Sequence, residues 1–119
     1  MRARFPVLRQ RFALFQNLVT KAAARGARAE AVWTYFRVTL EPLVELLRMR
    51  HCPERFDYGL RYLDRDLPPE VRAEAEALAF PPSIDRIEAS RARAAELFAE
   101  TVRAWEAGEW GADLAPPPE

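Results

Sequence analysis

The chain has 119 residues, half of them hydrophobic and 30% charged, and its 18 basic and 18 acidic side chains cancel. This describes one soluble globular domain with room for a real core, and its apolar runs fall far short of the ~20 residues a bilayer-spanning helix needs. A lone cysteine, Cys52, excludes an internal disulfide, and no signal-type apolar core follows Met1, so the expected setting is the cytoplasm.

Zero net charge hides an uneven distribution. From Met1 to Gly26 every charged residue is basic (Arg2, Arg4, Arg9, Arg11, Lys21, Arg25), whereas beyond His51 acids outnumber bases. A basic face suits nucleic acid, a phosphorylated ligand or an acidic partner. The plainer expectation is that the basic first helix packs against the acidic C-terminal helix of the same chain.

The first helix is predicted from near Pro6, a residue suited to a first helical turn, to Gly26, a natural stop. Leu8, Phe12, Phe15, Val19 and Ala22 recur at spacings of three and four, with Val7, Leu14 and Leu18 widening the apolar stripe. Arg9, Gln16, Thr20 and Lys21 fall on the opposite side. The second helix is predicted over residues 28–50, with Val32, Phe36, Leu40, Leu43 and Leu47 as one stripe. Trp33, Val44 and Leu46 broaden that stripe until the helix is apolar on most sides, the pattern of the most buried helix in a domain. Pro42 removes an N–H and crowds the carbonyl of Val38, which predicts a kink or break near residues 39–41. Glu41, Glu45 and Arg48 read as a solvated charged row.

Pro53 ends this helix. Asp57 is placed to cap a short helix over residues 58–63, with Phe56, Leu60 and Leu63 inward and Asp57 paired to Arg61. Asp66, Pro68, Pro69 and Glu70 read as the entry to another short helix, which Phe80-Pro81-Pro82 closes. Ser83 is the expected cap of a final long helix carrying Ile84, Ile87, Ala94, Phe98, Val102 and Trp105, which stops at Gly108. The fold class is all-α: an antiparallel helical bundle of three long helices plus one or two short ones. Residues 1–108 form its single domain. Residues 109–119 are a Pro-rich tail too poor in apolar side chains to fold alone, with Trp110 the one residue there suited to fold back.

No catalytic constellation is visible. His51 and Cys52 are sequence neighbours, and neighbouring side chains in a turn seldom converge as a nucleophile–base pair must. They are also too few for a structural zinc site, so neither a catalytic residue nor a metal or cofactor is expected. Asp64-Arg65-Asp66 spells D-x-D, but without the strand and Gly-Ser turn that make such a pair a magnesium site. The residues best suited to recognition are Tyr58, Arg61, Tyr62 and Arg65, at i, i+3 and i+4 spacings on the predicted short helix: planar donors beside aromatic faces and hydroxyls. The same four side chains equally suit a brace against the neighbouring aspartates.

The runs Leu40-Glu-Pro-Leu-Val-Glu-Leu-Leu-Arg48 and Phe56-Asp-Tyr-Gly-Leu-Arg-Tyr-Leu-Asp-Arg-Asp-Leu-Pro-Pro-Glu70 resemble the helical C-terminal part of bacterial nucleotidyltransferase-domain proteins. Similar bundles accompany kanamycin nucleotidyltransferase-like enzymes and serve as substrate-binding subunits of two-component nucleotidyltransferases. The resemblance spans about residues 8–105 and rests on helix pattern and the arginine/tyrosine connector. It implies a non-catalytic substrate-binding or accessory bundle, since the Gly-Ser and D-x-D elements of that family belong to a catalytic domain or subunit that would be its partner. Ribonuclease-type relatives carry an arginine a few residues before a histidine. Leu46, Glu45 and Val44 occupy those positions before His51, which argues against that activity. The alternative is a helical interaction module, antitoxin-like or dimerising, that uses the basic first helix or the Trp105/Trp110 end. Nucleic acid is the least favoured partner.

Overall fold

The computed structural model describes residues 1–110, and the tail expectation for residues 111–119 lies outside them. All regular structure among the described residues is helical, with no strand. The α-helices are α1 (Arg4–Ala24), α2 (Arg28–Tyr35), α3 (Glu41–His51), α4 (Leu63–Asp66), α5 (Pro69–Ala79) and α6 (Ile87–Glu106). No described helix is long and apolar enough to cross a membrane.

α2 and α3 are two parts of one rod over residues 28–51, about 36 Å long at 1.5 Å per residue. Pro42 does disturb it, as a π-helical turn over Phe36–Leu40 and not as a break. The reason is on α1. Proline cannot donate to the Val38 carbonyl, and the Gln16 Nε2 group does so instead at 2.9 Å, while Gln16 Oε1 accepts the Thr39 hydroxyl at 2.8 Å. Gln16 therefore faces the rod, not solvent as its position on the helical wheel suggests.

The core lies where α1, the rod and α6 meet, with Leu8, Val19, Leu40, Leu43, Val44 and Ala94 essentially inaccessible. Phe12 stacks on Phe98 with ring centres 3.8 Å apart, and Phe5 packs on Trp105 at 4.6 Å. α6 closes with Gly108 in the left-handed region (φ 74°) and with Glu109 N–H donating to the Ala104 carbonyl at 2.8 Å. That turn folds Trp110 back into the core, edge-on to Phe5, with its indole N–H donating to the Thr101 carbonyl at 2.9 Å. Trp110 is thereby buried within the chain, and Trp105 is partly buried against the same core. Tyr35, also buried, donates its hydroxyl to the Leu78 carbonyl at 2.6 Å, and Leu78 lies in the last turn of α5 where carbonyls lack helical partners. Burial pushes the Tyr35 phenol up to about 12.

Several expectations are corrected. Val7, Leu14 and Leu18 do not widen the buried stripe of α1, and Val32 and Trp33 do not face the core; all five are exposed. Ser83 caps no helix: its side chain makes no capping bond, and Ile84–Arg86 form a 3₁₀ turn before α6 begins. The basic α1 is only weakly matched by α6, through Arg9–Glu106 at 4.0 Å, because the α6 acids turn to arginines of their own helix such as Arg91 and Arg93. Arg4 of α1 instead pairs with Glu45 of α3, Nε to Oε2 at 2.7 Å, which removes Glu45 from the expected solvated row.

Candidate functional site

Residues 52–66, between α3 and the end of α4, are built around one buried guanidinium. Arg48, the last member of the expected solvated row, is fully buried instead. On its helix it sits four residues after Val44 and eight after Leu40, so the helical repeat turns it into the protein. Its Nε donates to the Gly59 carbonyl at 2.6 Å and its Nη1 to the Arg55 carbonyl at 3.3 Å. Nη1 also donates to Asp66 Oδ2 at 2.6 Å, and Nη2 donates to the Arg61 carbonyl. One side chain thus satisfies three loop carbonyls and a carboxylate, which is why a segment this short of regular structure holds a fixed path.

Asp66 is the counter-ion. Its side chain has no exposed surface and also accepts from Arg55. Hydrogen bonds from Arg55 and Arg48 hold its carboxyl below the usual aspartate range, against the opposing pull of burial. Asp66 is therefore not the helix-capping acid that its place before Pro68 suggests. The D-x-D acids part company: Asp64 is exposed, Asp66 buried and paired. Among the described residues no cluster of three His, Cys, Asp or Glu side chains could hold a metal.

Wrapping around Arg48 prevents the expected helix over residues 58–63. The segment is a series of turns in which Gly59 (φ 66°) and Tyr62 (φ 62°) both adopt the left-handed region. Tyr62 is the only non-glycine residue with positive φ among those described, a conformation that costs a side-chain-bearing residue roughly 1–2 kcal/mol. Leu60, expected inward, is exposed.

The turns nevertheless bring the four candidate residues together. Arg55, Tyr58, Arg61, Tyr62 and Arg65 line one open depression of about 440 Å³. The Arg65 guanidinium lies 4.4 Å from the Tyr62 ring centre, and Arg61 lies 5.4 Å from that of Tyr58. The two rings are 6.2 Å apart, and the buried Arg48 guanidinium approaches Tyr58 at 5.9 Å. The loop's ion pairs are Arg48–Asp66 and Arg55–Asp66. Arg61 and Arg65 make none among the described residues, so the expected Asp57–Arg61 pair is not formed. Guanidiniums resting on aromatic faces keep their N–H edges free for a planar or tetrahedral oxyanion.

His51 and Cys52 lie at the start of this segment. His51 is half-buried at the end of α3, and burial, reinforced by Arg50, holds its imidazole below its ordinary value. The buried Cys52 thiol donates to Glu54 Oε1 at 3.4 Å; burial and Glu54 push its pKa up, which keeps it protonated and poorly nucleophilic.

The described residues thus form an all-helical fold that carries an arginine–tyrosine surface on a connector fixed by a buried salt bridge. No family model, curated protein or solved structure matches the chain.

Proposed function

We propose that the chain is a non-catalytic substrate-binding or accessory bundle that works beside a nucleotidyltransferase catalytic domain or subunit in the cytoplasm. In this reading α1, the rod of residues 28–51 and α6 are the three long members of an antiparallel bundle, and the 53–66 connector is its recognition surface. The observation that carries the proposal is the carboxylate-free lining of the depression, where Arg61 and Arg65 are backed by Tyr58 and Tyr62. Each guanidinium offers a fork of N–H groups to a phosphate or carboxylate, and its tyrosine limits the rotamers lost on binding. The work done is positioning: a ligand is held by its anionic end while a partner performs the chemistry.

The test is calorimetric titration with inorganic pyrophosphate and with a nucleoside triphosphate, comparing the native chain with Arg61→Ala/Arg65→Ala. Loss of at least tenfold in affinity with an unchanged melting temperature supports the recognition surface. Undiminished binding by the double variant refutes it. Co-expression with the protein encoded alongside tests the partner: co-elution with a chain bearing Gly-Ser and D-x-D acids supports the assignment, and co-elution with an unrelated toxin-like chain refutes it.

A further inference from the structure

α1 carries two stripes. One faces the core; the other runs Val7, Arg11, Leu14, Leu18, Lys21, Arg25 at alternating spacings of four and three, and all six are exposed. This second stripe is apolar in the middle and cationic toward the C-terminal end. Leu14 is 66% exposed, more than any core-facing role allows.

A second exposed apolar surface lies on the rod. Val32, Trp33, Phe36 and Arg37 contribute to a mostly apolar depression of about 610 Å³, with Trp33 62% exposed and the Arg37 guanidinium 5.1 Å from its ring centre. Arg37 and Glu41 also line a second depression of about 160 Å³, whose α1 wall includes Arg11 and Phe15. Leu14 and Leu18 follow Arg11 by three and seven residues and so lie on the same side of α1. The two depressions share Arg37 and Glu41 and so adjoin as one groove, with half-buried Phe15 on the α1 wall of one and half-buried Phe36 beside exposed Val32 and Trp33 in the other.

The charge around the groove selects its occupant. Among the described residues Arg11, Lys21 and Arg37 form no ion pair, and Glu41 is the one unpaired carboxylate on the lining. α1 contains no acid at all. A second copy placed antiparallel across a two-fold axis on α1 would set Arg11 against the cation Lys21 of the other copy, with no acid on either helix to separate them. We infer that this groove docks an amphipathic helix of a partner protein, with leucine-type residues at i, i+3 or i+4, and i+7 flanked by Asp and Glu. About three turns of such a helix match the ~17 Å from Val7 to Leu18. The groove shares no lining residue with the arginine–tyrosine depression, so the two sites fail or succeed independently.

The experiment uses the full chain and a fluorescein-labelled synthetic helical peptide with a leucine stripe flanked by glutamates, read by anisotropy. Saturable binding is expected. It weakens at least tenfold when the peptide's flanking glutamates become lysines, and at least fivefold in Leu14→Ser or Trp33→Ala. Both variants should keep the native melting temperature, since neither residue is buried, and Arg61→Ala should bind the peptide as the native chain does. No binding, equal binding of the lysine-flanked peptide, or indifference to both groove variants overturns the proposal. So does a concentration-dependent dimer in sedimentation that Leu14→Ser and Trp33→Ala abolish, because the occupant is then a second copy.

Discussion

Replacing Arg48 with methionine removes the guanidinium while keeping an apolar side chain of similar length in place. Neither Arg48 nor Asp66 has exposed side-chain surface, so the variant strands a carboxylate in the interior with Arg55 as its remaining partner. Breaking a buried ion pair from one side costs about 3–5 kcal/mol. Arg55 still reaches Asp66, and water can satisfy the Arg55, Gly59 and Arg61 carbonyls once the loop loosens, which places the expectation near the lower figure. With an unfolding entropy of ~2.1 cal/mol/K per residue, 119 residues give about 0.25 kcal/mol/K, so the melting temperature should fall by roughly 12 °C. Arg48→Lys should recover less than half of that, because an ammonium cannot reach three carbonyls and a carboxylate in one plane. Thermal and urea unfolding followed by circular dichroism measure the loss directly. Arg48→Met combined with Asp66→Leu should be less destabilised than the sum of the two single variants. A loss below about 1 kcal/mol would show that residues 52–66 hold their path without Arg48.

Other outcomes follow from single features. Tyr62→Gly relieves a left-handed backbone and should leave stability unchanged or raise it by up to ~1 kcal/mol while weakening anion binding; a drop in stability above that size would mean the Arg65 stack outweighs the strain. Tyr35→Phe leaves the Leu78 carbonyl without its donor and should cost about 1–2 kcal/mol in urea unfolding, with no change in peptide or anion binding. The unfolded chain carries ordinary aspartates near ~3.9, whereas native Asp66 titrates lower. Its contribution is thus complete above that value and is lost as pH falls through the native one, because the unfolded state takes up the proton first. Unfolding measured between about pH 2 and pH 6 should show this acid-side slope reduced in Asp66→Asn; identical slopes would exclude it.

The regular parts of the fold were legible because amphipathic spacing reports burial directly. Leu8, Phe12 and Val19 on α1, and Ile87, Ala94, Phe98 and Val102 on α6, are buried as their spacing predicts. Pro42 likewise signalled a disturbance in the second helix, although its π-helical form depends on Gln16, 26 positions earlier, and no local pattern encodes that contact. The clustering of four connector side chains was legible, whereas Arg55 beside them and the way the loop is built were not. Tyr58, Arg61, Tyr62 and Arg65 do meet, yet through turns imposed by Arg48, an arginine whose type suggests solvent. Its place on the apolar side of its helix, after Leu40 and Val44, was the available signal. Leu14, Leu18 and Trp33 misled in the opposite sense, since hydrophobicity alone does not separate a core face from an exposed one.

The π-helical turn sets the rotational phase between the two halves of the rod. α3 is almost wholly enclosed, whereas α2 shows Val32 and Trp33 outward. Each residue added to or removed from a helix turns everything beyond it by about 100°. Deleting one residue within Phe36–Leu40 would leave the arginine clamp at Arg48 in place and swing the Trp33 face around the rod axis. The Gln16 clamp on Val38 and Thr39 therefore fixes the angle at which the chain presents its outer groove relative to its arginine–tyrosine loop.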